Sequence, residues 1–398
     1  MNGQVLVFNV NLSLHDAINT LAEHNIFCAA IWDEANRKFI DLLTIRDILE
    51  VLIFITEQLE EHFPGRVSLL PAEDKKLVNE FLLILYNKIQ EKKVHLMEVD
   101  GLPPLSSYGS KVEYNFLLSV LKSVKLRDWT QLAGKVIDHK PEILLTKSLK
   151  DSLLDACQEM AKNKIHRLAI IESNEKGSNL CGIITHDMIM GYIISNMQGD
   201  PRLFEVPIKE LDLDTKELVW KSYKHTLLEV LQCLRSKKIS FLPIVGDRYP
   251  GGTAYPTIGF FSLKDLIKLI RDKKYHMMRA SIKDVLNWTQ EEGDIDESLL
   301  LLSEAMEGTE DDLSTSMKGM SISGELSNDI LEEIKHEQLH DKISGIDRLI
   351  LYKPEDTLKT IVEKLFAAPD KRLVNIRRGT REIIGVISVT NIFVYATS

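Results

Sequence analysis

Apolar positions along this chain fall into short β-branched runs and longer stripes at helical spacing, and the clearest succession runs from Lys162 to Ile193. There LAIIE and CGIIT are separated by the polar SNEKGSN, which predicts two buried strands joined by a turn. Thr185, a hydroxyl in N-cap position, then opens a helix whose apolar stripe is Met188, Ile189, Tyr192 and Ile193. Upstream, Leu149, Leu153, Leu154, Cys157 and Met160 recur at helical spacing. The unit reads helix, strand, turn, strand, helix, and one such unit cannot bury both faces of its sheet.

The same unit occurs four times, starting at Ser13, Ser148, His225 and Asp356, and a repeat of this kind needs neighbours to complete its core. The strand-to-helix turns align as Thr44 to Asp47, Thr185 to Met188, Ser262 to Asp265 and Ser388 to Asn391. A hydroxyl opens each turn, and the fourth position varies. Between Phe63 and Val124 lies an insertion in which Leu77, Phe81, Ile84, Leu85 and Ile89 predict an amphipathic helix. Two roles are open to it, packing on its own repeats or docking a partner. DGLPPLSSYGS after it predicts a loop, Asp200 and Pro201 mark a break, and YPGGTAYPTIG lengthens the third repeat's turn.

The 398 residues, 44% hydrophobic, suit a globular protein of two or three domains. The net charge of −10 argues against a general nucleic-acid binder. That charge is unevenly placed. Between Glu291 and Asp341 sixteen acids face two lysines, a net of −14, which predicts disorder there and leaves the remainder mildly basic. Cys28, Cys157, Cys181 and Cys233 lack metal spacing and are expected to be buried free thiols in a reducing compartment. The sequence shows no secretory leader and no apolar run long enough to span a bilayer, so a cytoplasmic or nuclear protein is expected.

The four units, with IHRL before one strand and S/T-x-x-D after another, resemble CBS repeats. The strings VLVFNVNLS, NKIHRLAIIE, KKISFLPIV and GVISV are similar in content and order to the gamma-subunit family of AMP-activated protein kinase, over nearly all the chain except two insertions. The resemblance implies an α/β fold of four CBS repeats paired into two Bateman modules that form a flat disc. The first module is expected at 1–198, with repeats at about 4–62 and 125–198 around a helical insertion at about 63–124. The second is expected at 199–398, with repeats at about 205–275 and 276–398 and an acidic insertion at about 291–341. A leader that the family carries before the first strand is not expected here. The resemblance further implies a non-catalytic regulatory subunit with no cofactor. Its regulatory ligands would be AMP, ADP and ATP, its partners a kinase alpha subunit and a beta subunit, with neither nucleic acid nor membrane.

A hydroxyl at an N-cap with an acid three residues on is close to a capping box, which stabilises a helix start in any protein. The same helix end attracts anions, and a carboxylate there can accept both hydroxyls of a ribose. By resemblance, Asp47 and Asp265 match the family's ribose-binding aspartates; Asn391 replaces that aspartate in the fourth repeat, and Met188 offers no acceptor. His166 with Arg167, and Lys371 with Arg372, match the phosphate-contacting pairs, for which the arginine fork bonds two oxygens at once. Thr44, Thr185, Ser240, Ser262 and Ser388 complete the implied nucleotide-binding set. Phe27 stands where the family has Arg and Asp187 where it has Lys, so fewer sites are expected, with a nucleotide-unresponsive scaffold as the alternative. Catalysis is not expected. Thr185, His186 and Asp187 are adjacent and point apart, His336 and His340 lack the glutamate and third ligand of a zinc enzyme, and four repeats leave no room for a catalytic domain.

Overall fold

The computed structural model describes residues 5–62, 79–83, 111–136, 143–174, 177–195, 204–211, 213, 218–248, 254–291, 350–377 and 380–397. In chain order the elements begin with β1 (Val7–Asn9), α1 (Leu14–Glu23), β2 (Cys28–Asp33), β3 (Lys38–Thr44) and α2 (Ile45–His62). Two helices follow, α3 (Lys111–Ser123) and α4 (Leu126–Val136). The second repeat has β4 (Thr146–Lys147), α5 (Leu153–Asn163), β5 (Arg167–Asn174), β6 (Gly177–Thr185) and α6 (His186–Ser195). The third has β7 (Lys221–Ser222), α7 (Leu227–Ser236), β8 (Phe241–Val245), β9 (Thr257–Ser262) and α8 (Leu263–Arg271), after which comes α9 (Ile282–Glu291). The fourth has β10 (Ile350–Leu351), α10 (Leu358–Ala367), β11 (Arg372–Arg377), β12 (Glu382–Ser388) and α11 (Val389–Thr397).

Each repeat closes a three-stranded sheet in which a short first strand runs parallel to the hairpin that follows. Those first strands add an element to the predicted unit. At two or three residues they carry no period that a sequence could display. The helix after each first strand starts in the same way. Ser13, Ser152, Thr226 and Thr357 each accept a hydrogen bond from the backbone N–H three residues on. At Ser152 the cap fixes the helix start later than the apolar spacing suggests. Leu149 falls outside the helix, Leu149 and Leu154 lie exposed, and the core takes Ala156, Cys157 and Met160 instead. Likewise α6 buries Ile189 and Met190 while Met188 and Tyr192 stay exposed. Cysteine burial also departs from expectation, because Cys181 lies on an outward-facing position of β6 and is exposed, whereas Cys157 and Cys233 are buried.

The repeats interleave through their leading segments. Ser13 bridges Lys125, Leu14 and Leu126 exchange backbone bonds with Val124 and Leu12, and Leu126 and Trp129 join the core of the first repeat. In the second half, Pro207 bridges Thr357 and Ile208 packs in the fourth repeat's core, while Ser281 bridges Thr226 and Ile282 packs with the third. The sheets of the first two repeats meet at Ala30, Leu42 and Ala169, and those of the last two at Phe241, Phe260, Val374 and Ile383. Helices pair the other way. α1 packs on α8 and α2 on α7, whereas α6 packs on α11. Four repeats joined by sheets in one sense and by helices in the other meet at a single centre.

Phe81, in the helical residues 79–83, is fully buried in the core shared by the first and third repeats. The expectations for Leu77, Ile84, Leu85, Ile89, the DGLPPLSSYGS loop, the break at Asp200 and Pro201, most of the acidic insertion with His336 and His340, and part of the YPGGTAYPTIG turn lie outside the described residues. No described helix is long and apolar enough to cross a membrane.

Candidate functional site

The four repeats enclose a central cavity of about 1000 Å³. Each contributes two stretches to its wall, the entry to the first hairpin strand and the strand-to-helix turn. Thr44, Asp47, His166, Arg167, Thr185, Ser240, Ser262, Lys371, Arg372 and Ser388 all line it. Asp265 and Asn391 do not, and the geometry of the turns explains why. The third residue of each turn, Arg46, Asp187, Lys264 and Thr390, faces the cavity. The fourth folds back on the opening hydroxyl residue.

Asp47 Oδ2 accepts from Thr44 N–H at 2.8 Å and from its hydroxyl at 2.6 Å. Asp265 Oδ2 accepts from Ser262 N–H at 2.7 Å and its hydroxyl at 3.1 Å, completing a capping box. Asn391 Oδ1 accepts from the same two groups of Ser388. The second repeat keeps only the hydroxyl half, with Met188 N–H donating to Thr185 Oγ1 at 3.2 Å. Helix capping is thus formed in every turn, and Asp47 is the one fourth-position acid that also borders the cavity.

The wall carries eight Lys and Arg against five Asp and Glu. Arg372 donates to the Asp370 carbonyl at 3.0 Å and to Ser240 Oγ. Burial holds its guanidinium below the usual value, with Asp370 and Asp187 opposing. Asp187 therefore stands near both Lys371 and Arg372 and offsets part of their charge. Lys371 differs from His166, its counterpart in the sequence alignment. Its own backbone is left-handed, φ 52°, and its ammonium turns to the Phe366 carbonyl at 2.6 Å.

Arg46 was not among the residues that the sequence pointed to, although the turn alignment puts it level with Asp187. Its guanidinium donates to the Ile239 carbonyl at 3.3 Å. Beside it, burial pushes the Glu50 carboxyl up to about 6, with Arg235 and Arg46 pulling the other way. Arg235 is held by a two-pronged ion pair to Glu57 at 2.6 and 3.0 Å, which also ties α7 to α2.

His166 and His186 meet at 3.3 Å between their Nδ1 atoms, and His186 stacks on Phe393 with ring centroids 3.9 Å apart. His166 opens onto the cavity, while His186 is only 7% exposed. Burial first, then the neighbouring cations, lowers His166 to about 4; burial and His166 lower His186 to about 3. Both rings are neutral at pH 7. A base whose value falls on folding is protonated first in the unfolded chain, so His186 withdraws stability as pH drops from about 6.5 towards 3. At pH 5 the loss is on the order of 2 kcal/mol. His186→Phe, which keeps the stacking, is expected to flatten the acid limb of a urea-unfolding series between pH 7 and 5; an unchanged slope would refute the assignment.

Among the described residues no group of three or more His, Cys, Asp or Glu could hold a metal ion. The CBS domain family model matches residues 1–53 and 141–195. The chain is 22% identical over 247 residues to the gamma subunit of 5'-AMP-activated protein kinase from Dictyostelium discoideum, covering 62% of this chain and 33% of that protein. It is 20% identical over 288 residues to the gamma-3 subunit from Homo sapiens, covering 72% and 45%. The chain thus spans between a third and a half of the length of these curated relatives. A solved structure from Methanocaldococcus jannaschii, proposed as an archaeal homolog of g-AMPK, superposes over 100% of this chain and 97% of that one with a TM-score of 0.51 and 14% identity. The chain thus carries CBS domains at residues 1–53 and 141–195, shares its fold with the archaeal structure, and is similar in sequence to gamma subunits of AMP-activated protein kinase.

Proposed function

We propose that the chain is a non-catalytic regulatory subunit that senses adenine nucleotides in its central cavity and reports their balance to a kinase alpha subunit held with a beta subunit. The observation that carries this is the cavity, a space of about 1000 Å³ in which side chains from all four repeats converge with a surplus of cations. Its size suits a nucleotide, and its charge favours phosphates. Sensing requires that AMP and ATP stabilise different conformational populations of the assembly, because a ligand with equal affinity for two states shifts neither.

Calorimetry with AMP, ADP and ATP tests the reading. Binding is expected to weaken as salt screens the cavity. Arg167→Ala is expected to weaken it about tenfold, the loss of one charge-assisted contact. No heat and no thermal stabilisation with any of the three at millimolar concentration would leave the scaffold reading, which Phe27 and Asp187 on the cavity wall support. Affinity purification of tagged protein tests the partners, and recovery of neither kinase subunit under mild conditions would count against the heterotrimer.

A further inference from the structure

Two guanidiniums from distant repeats are aimed at one short stretch of the third. Arg46, from the first repeat's turn, donates to the carbonyl of Ile239, and Arg372, from the start of β11, donates to the hydroxyl of Ser240. These acceptors belong to adjacent residues, whose Cα atoms are about 3.8 Å apart. Both arginines border the central cavity, and so does Arg167. Like charges brought together in a partly desolvated wall repel, and Arg46 accordingly lowers the proton affinity of Arg372 and of His166. Glu50 and Asp47 balance the Arg46 charge, yet among the described residues its hydrogen bond is long and made to a neutral carbonyl. A fork so placed has donors to offer to an anion.

We propose that Arg46 and Arg372 form a clamp across the edge at Ile239 and Ser240 that takes adjacent phosphoryl groups of a polyphosphate, so that this part of the cavity favours ATP over AMP. The inference rests on the nucleotide reading above and adds a residue and a preference to it. It also gives the first repeat a cation of its own. Phe27, at the strand entry, supplies none, and the charge stands on the neighbouring turn instead. A single phosphoryl group can satisfy one fork, whereas a chain of them can bridge both.

Calorimetry on the parent, Arg46→Gln and Arg46→Lys, each with AMP, ATP and inorganic triphosphate, provides the test. Arg46→Gln is expected to weaken ATP and triphosphate about ten- to a hundredfold and AMP by about threefold or less, in line with loss of a charge-assisted contact. Arg46→Lys should recover part of the loss, since it restores the charge without the fork. Equal melting temperatures of the ligand-free proteins would show that both variants fold. If the parent binds triphosphate and ATP and Arg46→Gln binds them within about twofold, the clamp is wrong while nucleotide sensing stands. Binding of triphosphate without any nucleotide, lost in Arg46→Gln, would keep the two arginines as a polyphosphate clamp but overturn both the preference for ATP and the sensing role. Absence of binding to all three probes overturns both.

Discussion

Phe260→Ala is expected to cost about 3–5 kcal/mol of unfolding free energy, the range for emptying a buried phenylalanine site. Phe260 is 1% exposed in β9 and lies 5.0 Å from Phe241, ring to ring, in the cluster that joins the sheets of the third and fourth repeats with Val374 and Ile383. Backbone on both sides is fixed in sheet, so the cavity left by the ring cannot readily collapse. A second effect reaches the site, because the Arg372 guanidinium rests 5.7 Å from the centre of the Phe241 ring. Nucleotide affinity is expected to fall along with stability. Urea unfolding of parent and variant measures the first and calorimetry the second. A loss under about 1 kcal/mol would mean that the two sheets do not share a close-packed interior.

Asp265→Ala is expected to destabilise by about 2–4 kcal/mol, from a lost helix cap and from buried donors left without that acceptor. Ser262 is fully buried, and both its N–H and its hydroxyl give to Asp265 Oδ2. Asp265→Asn retains a side-chain oxygen and should lose only about 1 kcal/mol, mostly the favourable charge at the start of α8. Thermal melting separates the two variants. If alanine and asparagine cost the same, the hydrogen bonds are not the source. The comparison also guards against a false conclusion about binding, since loss of nucleotide in the alanine variant alone would follow from a disordered turn without any contact to ribose.

The turns were legible because a hydroxyl opening a helix after an apolar run has one structural meaning and because it recurs four times. Which side chain of each turn meets the cavity was not legible to the same degree. Successive residues at a helix start point in different directions, so the third and fourth positions part company, Lys264 towards the cavity and Asp265 into the cap. The same geometry explains why Arg46 escaped notice. Phe27 stands where the family has Arg, while the first repeat's cation on the cavity wall, Arg46, stands on its strand-to-helix turn. Apolar spacing also overreached. Leu149 and Leu154 fit a helical stripe, but Ser152 and Asp155 fix the helix start and leave those leucines at the surface. Strands as short as Thr146–Lys147 or Ile350–Leu351 are specified by the partner they pair with, which no local window contains.

The core shared by the first and third repeats bears on what a half-length protein would do. α1 and α2 bury their apolar faces on α8 and α7, so residues 1–198 made alone would present that face to water. Cutting the chain between its halves would therefore uncover apolar helix faces on each piece, and an exposed apolar patch of that kind promotes association.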